Sequence, residues 1–244
     1  MPSLDPGGVI LFDAVGTLLR PEPSVAEAYA AAGRRFGSRL AVAEIKAAFG
    51  RIFKAEKAAD LRDHAGRTDE PRERERWRSI VAGVFTDVPT AQHDALFEDL
   101  WSHFARPESW RLFDDVADAL SHLAAAGRPV AIASNFDRRL LGIVAALFPA
   151  IPPERVFVSS LLRYRKPAAE FFRACERRLA ELGFSVASLT LIGDDPFEDF
   201  AGARAAGWSA VLLDRDDEHP SYAPRASNLA VHLRSIRTVD EFRL

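Results

Sequence analysis

The chain has 244 residues, 48% of them hydrophobic and 27% charged, and its formal net charge is −3. This is a globular composition, so it excludes collagen-like and long disordered sequences. The near balance of charge gives no reason to expect nucleic-acid binding. No apolar run approaches the roughly 18 residues that a membrane span needs. The single cysteine, Cys175, cannot close an intramolecular disulfide and most simply lies in the core. Because residues 1–8 lack the features of a signal peptide, we expect a cytoplasmic protein.

Five short apolar runs, separated by helical segments, predict the fold of most of the chain. Each run is bounded by polar or turn residues, as expected for a strand buried on both faces of a parallel sheet. The predicted strands are Val9–Phe12, Val130–Ala133, Val156–Val158, Leu189–Ile192 and Ala210–Leu213. The helices between them are predicted to end at Gly127, Gly183 and Gly207, which act as left-handed caps. We therefore predict an α/β fold with an open parallel sheet and helices on both faces.

Residues 20–109 show helical rather than strand-like periodicity. Apolar residues such as Ile45 and Phe49 repeat at the spacing of one helix face. The helices predicted in this segment are Val25–Phe36, Val42–Ala59, Trp77–Phe85 and Ala91–Phe104. We predict an all-helical domain of residues 20–109, inserted into a core domain of residues 1–19 and 110–244.

Residues 62–78 of the insertion are dense in charged side chains. The simplest interpretation is a solvated loop followed by the start of a helix around Pro71. The alternative is a charged patch that faces a substrate.

Polar residues follow the predicted strands at the edge where an open α/β sheet binds its ligands. In chain order they are Asp13, Thr17, Ser134, Asn135, Lys166, Asp194, Asp195 and Asp199. Carboxylates are hard oxygen ligands for Mg²⁺, while hydroxyl and lysine groups bind phosphoryl oxygens. The pattern predicts a site for a divalent cation and a phosphoryl group. Taken singly, Asp13 could be a turn residue, and Asp195 before Pro196 could be a helix N-cap.

Four motifs at these strand ends resemble those of the haloacid dehalogenase superfamily, whose first motif is Asp-x-Asp-Gly-Thr-Leu. The matching segments, in motif order, are Phe12–Leu18, Ser134–Asn135, Lys166–Pro167 and Gly193–Asp199. The resemblance covers the whole chain and implies a Rossmann-like core with a helical cap inserted between the first and second motifs. More narrowly, residues 75–77 and 134–140 are similar to one group within this superfamily.

The resemblance implies a Mg²⁺-dependent phosphohydrolase in which Asp13 attacks phosphorus and water hydrolyses the aspartyl-phosphate. The substrate would be a small phosphorylated metabolite, which the cap selects and shields from water. The Mg²⁺ ligands implied by the family are Asp13, Asp194, the backbone carbonyl of Val15, and Asp195 or Asp199. The residues expected to bind the phosphoryl oxygens are Thr17, Ser134, the backbone N–H of Asn135, and Lys166.

The chain departs from the family pattern at Val15. Phosphatases of the family usually carry a second aspartate there, which protonates the leaving alcohol. Valine keeps the backbone carbonyl but cannot transfer a proton, and a positioned acid–base group contributes roughly 10²–10⁴-fold to the rate. Three hypotheses follow: a glutamate or histidine of the cap replaces the acid, the substrate has a good leaving group, or turnover is lost.

Other functions are also compatible with the missing aspartate. The 2-haloacid dehalogenases expel halide without a proton and without a metal, but Asp194 and Asp195 would then oppose ionisation of Asp13. Phosphonatases of the family use a cap lysine as a Schiff base. Lys54 and Lys57 lie in the insertion, where a solvated helix face explains them more simply. The remaining alternative is a phospho-ligand or protein-binding module without efficient chemistry.

Overall fold

The computed structural model describes residues 8–234, and within them a six-stranded parallel sheet forms the centre of the fold. In chain order the strands are β1 (Val9–Phe12), β2 (Leu19–Pro21), β3 (Trp110–Leu112), β4 (Val130–Ser134), β5 (Val156–Val158), β6 (Leu189–Gly193), β7 (Ser209–Leu213) and β8 (Arg225–Ala226). The sheet order is β5-β4-β1-β6-β7-β8, while β2 and β3 pair as a separate antiparallel ribbon. The predicted open α/β sheet is confirmed. The ribbon and β8 were not predicted, because each of their short strands contains an arginine and so forms no apolar run.

Helices cover both faces of the sheet and fill the insertion. In chain order they are α1 (Val25–Arg35), α2 (Val42–His64), α3 (Glu70–Val84), α4 (His93–His103), α5 (Val116–Ala125), α6 (Arg139–Leu147), α7 (Ser159–Leu162), α8 (Ala169–Glu181), α9 (Gly202–Ala205) and α10 (Leu229–Leu233). A π-helical turn, Pro196–Ala201, precedes α9. The glycines predicted to end three of these helices, Gly127, Gly183 and Gly207, all have positive φ.

The sheet is buried on both faces, as its uninterrupted apolar strands predict. Successive side chains of a strand point to opposite faces. Accordingly, Ile10 and Phe12 of β1 lie in one hydrophobic cluster, and Val9 and Leu11 lie in another on the opposite face. Cys175 is part of the second cluster, fully buried and not in a disulfide. This matches its predicted place in the core.

The helices of the insertion pack around a hydrophobic cluster of their own, which includes Tyr29, Ile45, Phe85 and Phe97. The ribbon of β2 and β3 joins this segment to the sheet. The proposed domain division, residues 20–109 against residues 1–19 and 110–244, remains a prediction, and its outer ends fall outside the described residues. The expectation that residues 1–8 contain no signal peptide also concerns residues that lie almost entirely outside the described part of the chain. No helix in residues 8–234 is both long and apolar enough to cross a membrane.

The charged stretch of residues 62–78 is not simply solvated, so the preferred interpretation was wrong for part of it. Glu73 and Arg76 of α3 are buried together with Asp60 of α2 and Arg165 of the core. Asp60 accepts a hydrogen bond from Arg165, and its carboxylate lies 3.1 Å from Nε of Arg76. Charges this deeply buried are stable only when they are paired. The cluster links the insertion to the residue that precedes Lys166.

Candidate active site

The strand order places three of the predicted motifs side by side. β1 lies between β4 and β6 in the sheet. Asp13 follows β1, Ser134 ends β4, and Asp194 follows β6. Because parallel strands end at the same edge, these residues meet there even though they are far apart in the chain.

Three carboxylates converge at this edge. Asp13, Asp194 and Asp199 each offer an oxygen to a cluster whose ligand atoms all lie within 4.8 Å of one another. Asp13 and Asp199 are buried, and Asp194 is partly buried. Asp199 belongs to the π-helical turn after β6, and such turns are frequent at functional sites.

Lys166 is the cation that holds this cluster together. Its Nζ donates to Oδ1 of Asp13 at 2.6 Å, to Oδ1 of Asp199 at 2.5 Å and to the carbonyl of Ala133 at 2.8 Å. Burial opposes the charged form of this lysine, but the Asp13 and Asp199 carboxylates outweigh that effect and raise the pKa of Lys166 above its usual range. Lys166 is therefore protonated and orients the Asp13 carboxylate.

The cluster still holds more negative than positive charge. Burial, and then repulsion from Asp13 and Asp199, raises the pKa of Asp194 to about 8, although a hydrogen bond from Thr17 acts in the opposite direction. Burial also raises the pKa of Asp199 to about 6, against the attraction of Lys166. These shifts indicate that one ammonium does not neutralise three carboxylates.

The donor set fits a divalent cation. Mg²⁺ prefers oxygen ligands, and a dication would neutralise the excess charge of the three carboxylates. Asp13, Asp194 and Asp199 are the side chains that would hold it. The backbone carbonyl of Val15 remains a predicted ligand.

Two glycines leave the space that the carboxylates occupy. Gly16 has φ +93°, and a Cβ built on it would lie 2.3 Å from Oδ2 of Asp194. A Cβ on Gly193 would lie 2.3 Å from Cγ of Asp199. Real Cβ atoms do not approach so closely, so a larger residue at either position would displace a carboxylate. Both glycines lie in the motifs that predicted the site.

The predicted phosphoryl-binding residues are close by, but three of their side chains already have partners, among them Lys166 with the contacts given above. The Thr17 hydroxyl donates to Oδ1 of Asp194 at 3.0 Å. The Asn135 side chain accepts from the backbone N–H of Lys166 at 2.8 Å and donates to its carbonyl at 3.0 Å. Asn135 thus orients the lysine, while Ser134 is buried at the end of β4. Phosphoryl binding by Thr17, Ser134, Asn135 and Lys166 remains a prediction.

Asp195 lies outside the carboxylate cluster and acts as a helix cap, one of its two interpretations. Its Oδ1 accepts from the backbone N–H of Phe197 at 2.9 Å and of Glu198 at 2.8 Å. Its Oδ2 accepts from Lys57 of α2 at 2.7 Å, and Lys57 also lies 3.1 Å from Glu198. The interpretation of Lys57 as part of a solvated face was therefore wrong, whereas Lys54 is exposed as expected. No local pattern in the sequence signals this contact between α2 and the core.

A second supporting pair was also missed from the sequence. Arg215 donates to both carboxylate oxygens of Asp115, at 2.9 and 3.0 Å, and to the backbone carbonyl of Thr17 at 3.0 Å. The pair therefore braces the loop after β1. The two residues are 100 positions apart, and each reads as an ordinary surface charge in the sequence.

The side chain of Val15, which cannot transfer a proton, lines an apolar pocket. The pocket has a volume of about 220 Å³ and lies between the insertion and the core. Its core wall includes Val15, Asn135 and Phe136, and its insertion wall is rich in aromatic side chains. Val15 lies two residues after Asp13, and Asn135 directly follows Ser134, so the pocket adjoins the carboxylate cluster.

Comparison with known proteins defines the class to which this fold and site belong. Residues 8–207 match the haloacid dehalogenase-like hydrolase family, so the chain belongs to that family of hydrolases. It is 30% identical over 212 residues to haloacid dehalogenase-like hydrolase domain-containing protein 3 of Danio rerio, with 85% of each chain covered. That protein represents the group to which residues 75–77 and 134–140 are similar, which confirms the narrower prediction.

Solved structures of two different chemistries share the fold. One is a HAD phosphatase from Thermococcus onnurineus, with a TM-score of 0.61, 20% identity, and 94% of this chain and 97% of that chain covered. Another is the defluorinating L-2-haloacid dehalogenase Rha0230, with a TM-score of 0.72, 18% identity and 95% of each chain covered. Because a fold hosts several activities, the reaction has to be argued from the site itself.

Proposed function

We propose that the protein is a Mg²⁺-dependent phosphohydrolase that acts on a small phosphorylated metabolite in the cytoplasm. The observation that carries the proposal is the buried cluster in which Asp13 meets Asp194 and Asp199 within 4.8 Å while Lys166 holds Asp13. A carboxylate nucleophile, a set of oxygen ligands for a metal ion and a fixed ammonium are the groups that phosphoryl transfer through a covalent aspartyl-phosphate uses.

In this proposal Asp13 is the nucleophile. One of its carboxylate oxygens forms a bond to phosphorus, the bond from phosphorus to the leaving oxygen breaks, and an aspartyl-phosphate results. Water then attacks phosphorus and releases inorganic phosphate, which regenerates Asp13. Lys166 and Ser134 bind the phosphoryl oxygens on which negative charge accumulates. Bound Mg²⁺ would offset the repulsion between the carboxylate and the anionic substrate.

Dehalogenation is the second candidate, and Val15 is the observation that favours it. Halide leaves without a proton, so a dehalogenase needs no acid at position 15. Against it counts the excess of three carboxylates over the single ammonium of Lys166, which contributes to the raised pKa values of Asp194 and Asp199 and supports a bound cation. A metal-free reaction would leave that charge unbalanced next to the nucleophile.

The proposal is tested by Mg²⁺-dependent hydrolysis of 4-nitrophenyl phosphate, whose leaving group needs little protonation. We expect turnover that is abolished by Asp13→Asn and by a chelator, and restored by Mg²⁺ after chelation. Halide release from 2-chloropropionate is measured in parallel with the same protein. Release of halide in chelator, with no phosphate released from the aryl phosphate, would overturn the proposal in favour of dehalogenation.

A further inference from the structure

The apolar pocket beside the carboxylate cluster has walls that suit a flat ring. Tyr29, Phe53, Trp77, Trp101 and Phe136 are among its lining side chains. A cavity of about 150 Å³ lined by apolar side chains holds one benzene molecule. At about 220 Å³, this pocket has room for one substituted ring or a small fused pair.

The charged and amide side chains that line the pocket are already engaged within the protein. Of the lining residues, all within the described part of the chain, only Asn135 and Arg139 carry an amide or a charge. Arg139 donates from Nε and Nη2 to Asp137 at 2.7 and 2.6 Å, and from Nη1 to the carbonyl of Trp101 at 3.1 Å. Asn135 is engaged with the backbone of Lys166 through both side-chain atoms. The pocket therefore offers little to a leaving group rich in hydroxyls, such as a sugar.

Val15 adds an independent requirement on the same leaving group. It lines the pocket and cannot donate a proton to the departing oxygen. Without a positioned acid the leaving group has to depart as an anion, and an aryl oxide is far more stable as an anion than an alkoxide. The shape of the pocket and the absence of an acid at position 15 thus both favour a leaving group that is an aryl oxide.

We propose that the substrates are phosphate monoesters of phenols with one ring or a small fused pair, whose ring occupies this pocket. The inference rests on the proposed phosphohydrolase activity. The oxygen of Asp13 bonds to phosphorus as the bond from phosphorus to the phenolic oxygen breaks. The electron pair of that bond leaves with the phenolic oxygen, which takes its proton from solvent after departure.

The first test compares three phosphate substrates with the full-length protein and Mg²⁺. Phenyl phosphate and cyclohexyl phosphate are similar in size and apolar, but only the first has a stable leaving anion. We expect kcat/KM for phenyl phosphate to exceed that for cyclohexyl phosphate by roughly 10² or more, because a positioned general acid contributes a rate factor of at least that size and this site has none at position 15. Acetyl phosphate has a good leaving group and no ring, so it reports the chemistry without the pocket.

The second test fills the pocket. Val25 begins α1 and lines the pocket, so Val25→Phe should lower the ratio of kcat/KM for phenyl phosphate to that for acetyl phosphate by about 10–100-fold. Val186, which is 40% exposed and is not among the residues that line the pocket, provides the control variant Val186→Phe, which should leave this ratio unchanged.

The outcomes separate the two proposals. If acetyl phosphate is hydrolysed with dependence on Asp13 and Mg²⁺, but phenyl phosphate is no better a substrate than cyclohexyl phosphate, the substrate class is wrong and the phosphohydrolase remains. If no phosphate ester or acetyl phosphate is hydrolysed, both proposals fail. An unchanged ratio in a folded Val25→Phe variant would show that the ring does not bind in this pocket.

Discussion

At the scale of single residues, Val15 determines what this site can do. It lies two positions after Asp13, lines the apolar pocket and leaves the site without a proton donor at that position. Asp13, Asp194 and Asp199 form the carboxylate cluster beside it. In the proposed mechanism, Val15 therefore separates nucleophilic attack by Asp13 from protonation of the leaving group, for which no group stands at this position.

Restoring a carboxylate at position 15 should restore acid catalysis. We expect Val15→Asp to raise kcat/KM for cyclohexyl phosphate by about 10²-fold and to change that for phenyl phosphate much less, because only the alkoxide needs the proton. Val15→Asn, which has the same shape and no acidic proton, is the matched control. A similar gain in the Asn variant would show that polarity rather than proton transfer is responsible.

At the scale of the elements, the loop after β1 places the carboxylates as much as the strands do. Gly16 and Gly37 have similar backbone conformations, with φ of +93° and +87°, but a Cβ would meet Asp194 only at Gly16 and would meet nothing within 4 Å at Gly37. Because both have positive φ, Ala at either position should cost about 1–2 kcal/mol of unfolding free energy, and more at Gly16, where the new Cβ also clashes with Asp194. Only Gly16→Ala should also weaken Mg²⁺ binding, measured by titration calorimetry. Equal loss of binding in both variants would contradict this placement of Asp194.

The ion pairs between α2 and the core also belong to this scale, because they hold the insertion against the site. Lys57 lies against Asp195 and Glu198, so Lys57→Ala should raise KM through weaker closure of the insertion over the site. A partly exposed ion pair contributes about 0.2–1 kcal/mol, so we expect at most about fivefold. Lys54→Ala removes an exposed lysine of the same helix and should leave KM unchanged. Equal effects of the two variants would contradict a specific contact.

The elements also show what could be predicted from the sequence. Strands buried on both faces were found because their apolar runs are uninterrupted, and the carboxylate cluster was found because parallel strands end at one edge. The Lys57 contact, the Asp115–Arg215 pair and the buried cluster around Asp60 were missed. Each depends on charged side chains from distant segments, and a charged side chain that is buried in a pair looks in the sequence like one on the surface.

At the scale of the whole molecule, the excess negative charge of the site should make stability depend on pH. Aspartates in the unfolded chain have a pKa near about 3.9, whereas Asp194 and Asp199 have raised values of about 8 and about 6. Between these limits the folded state binds more protons than the unfolded state. The metal-free protein should therefore lose stability as pH rises from about 4 to about 8.

Thermal unfolding in chelator at several pH values tests this dependence. Burial lowers the pKa of His103. At pH values below the ordinary histidine pKa, His103 therefore makes stability rise with pH, which opposes the effect of the two aspartates. Comparison with a variant of the site separates the two contributions. Asp194→Asn should flatten the loss between pH 6 and 8 and raise the Tm of the metal-free protein by about 2–4 °C for each kcal/mol gained. Mg²⁺ should stabilise the wild type at pH 8 and the variant much less. A wild type as stable at pH 8 as at pH 6 in chelator would contradict the charge excess.

The central claim, that Asp13 attacks phosphorus, is tested most directly by looking for the covalent intermediate. The protein with Mg²⁺ is mixed with phenyl phosphate, quenched in acid during turnover, digested and analysed by mass spectrometry. We predict that the peptide containing Asp13 gains the mass of one phosphoryl group, and that the gain is absent in chelator and in Asp13→Asn. Phosphate release by the wild type with this peptide unmodified at every quench time, or the modification found on another residue, would contradict the account.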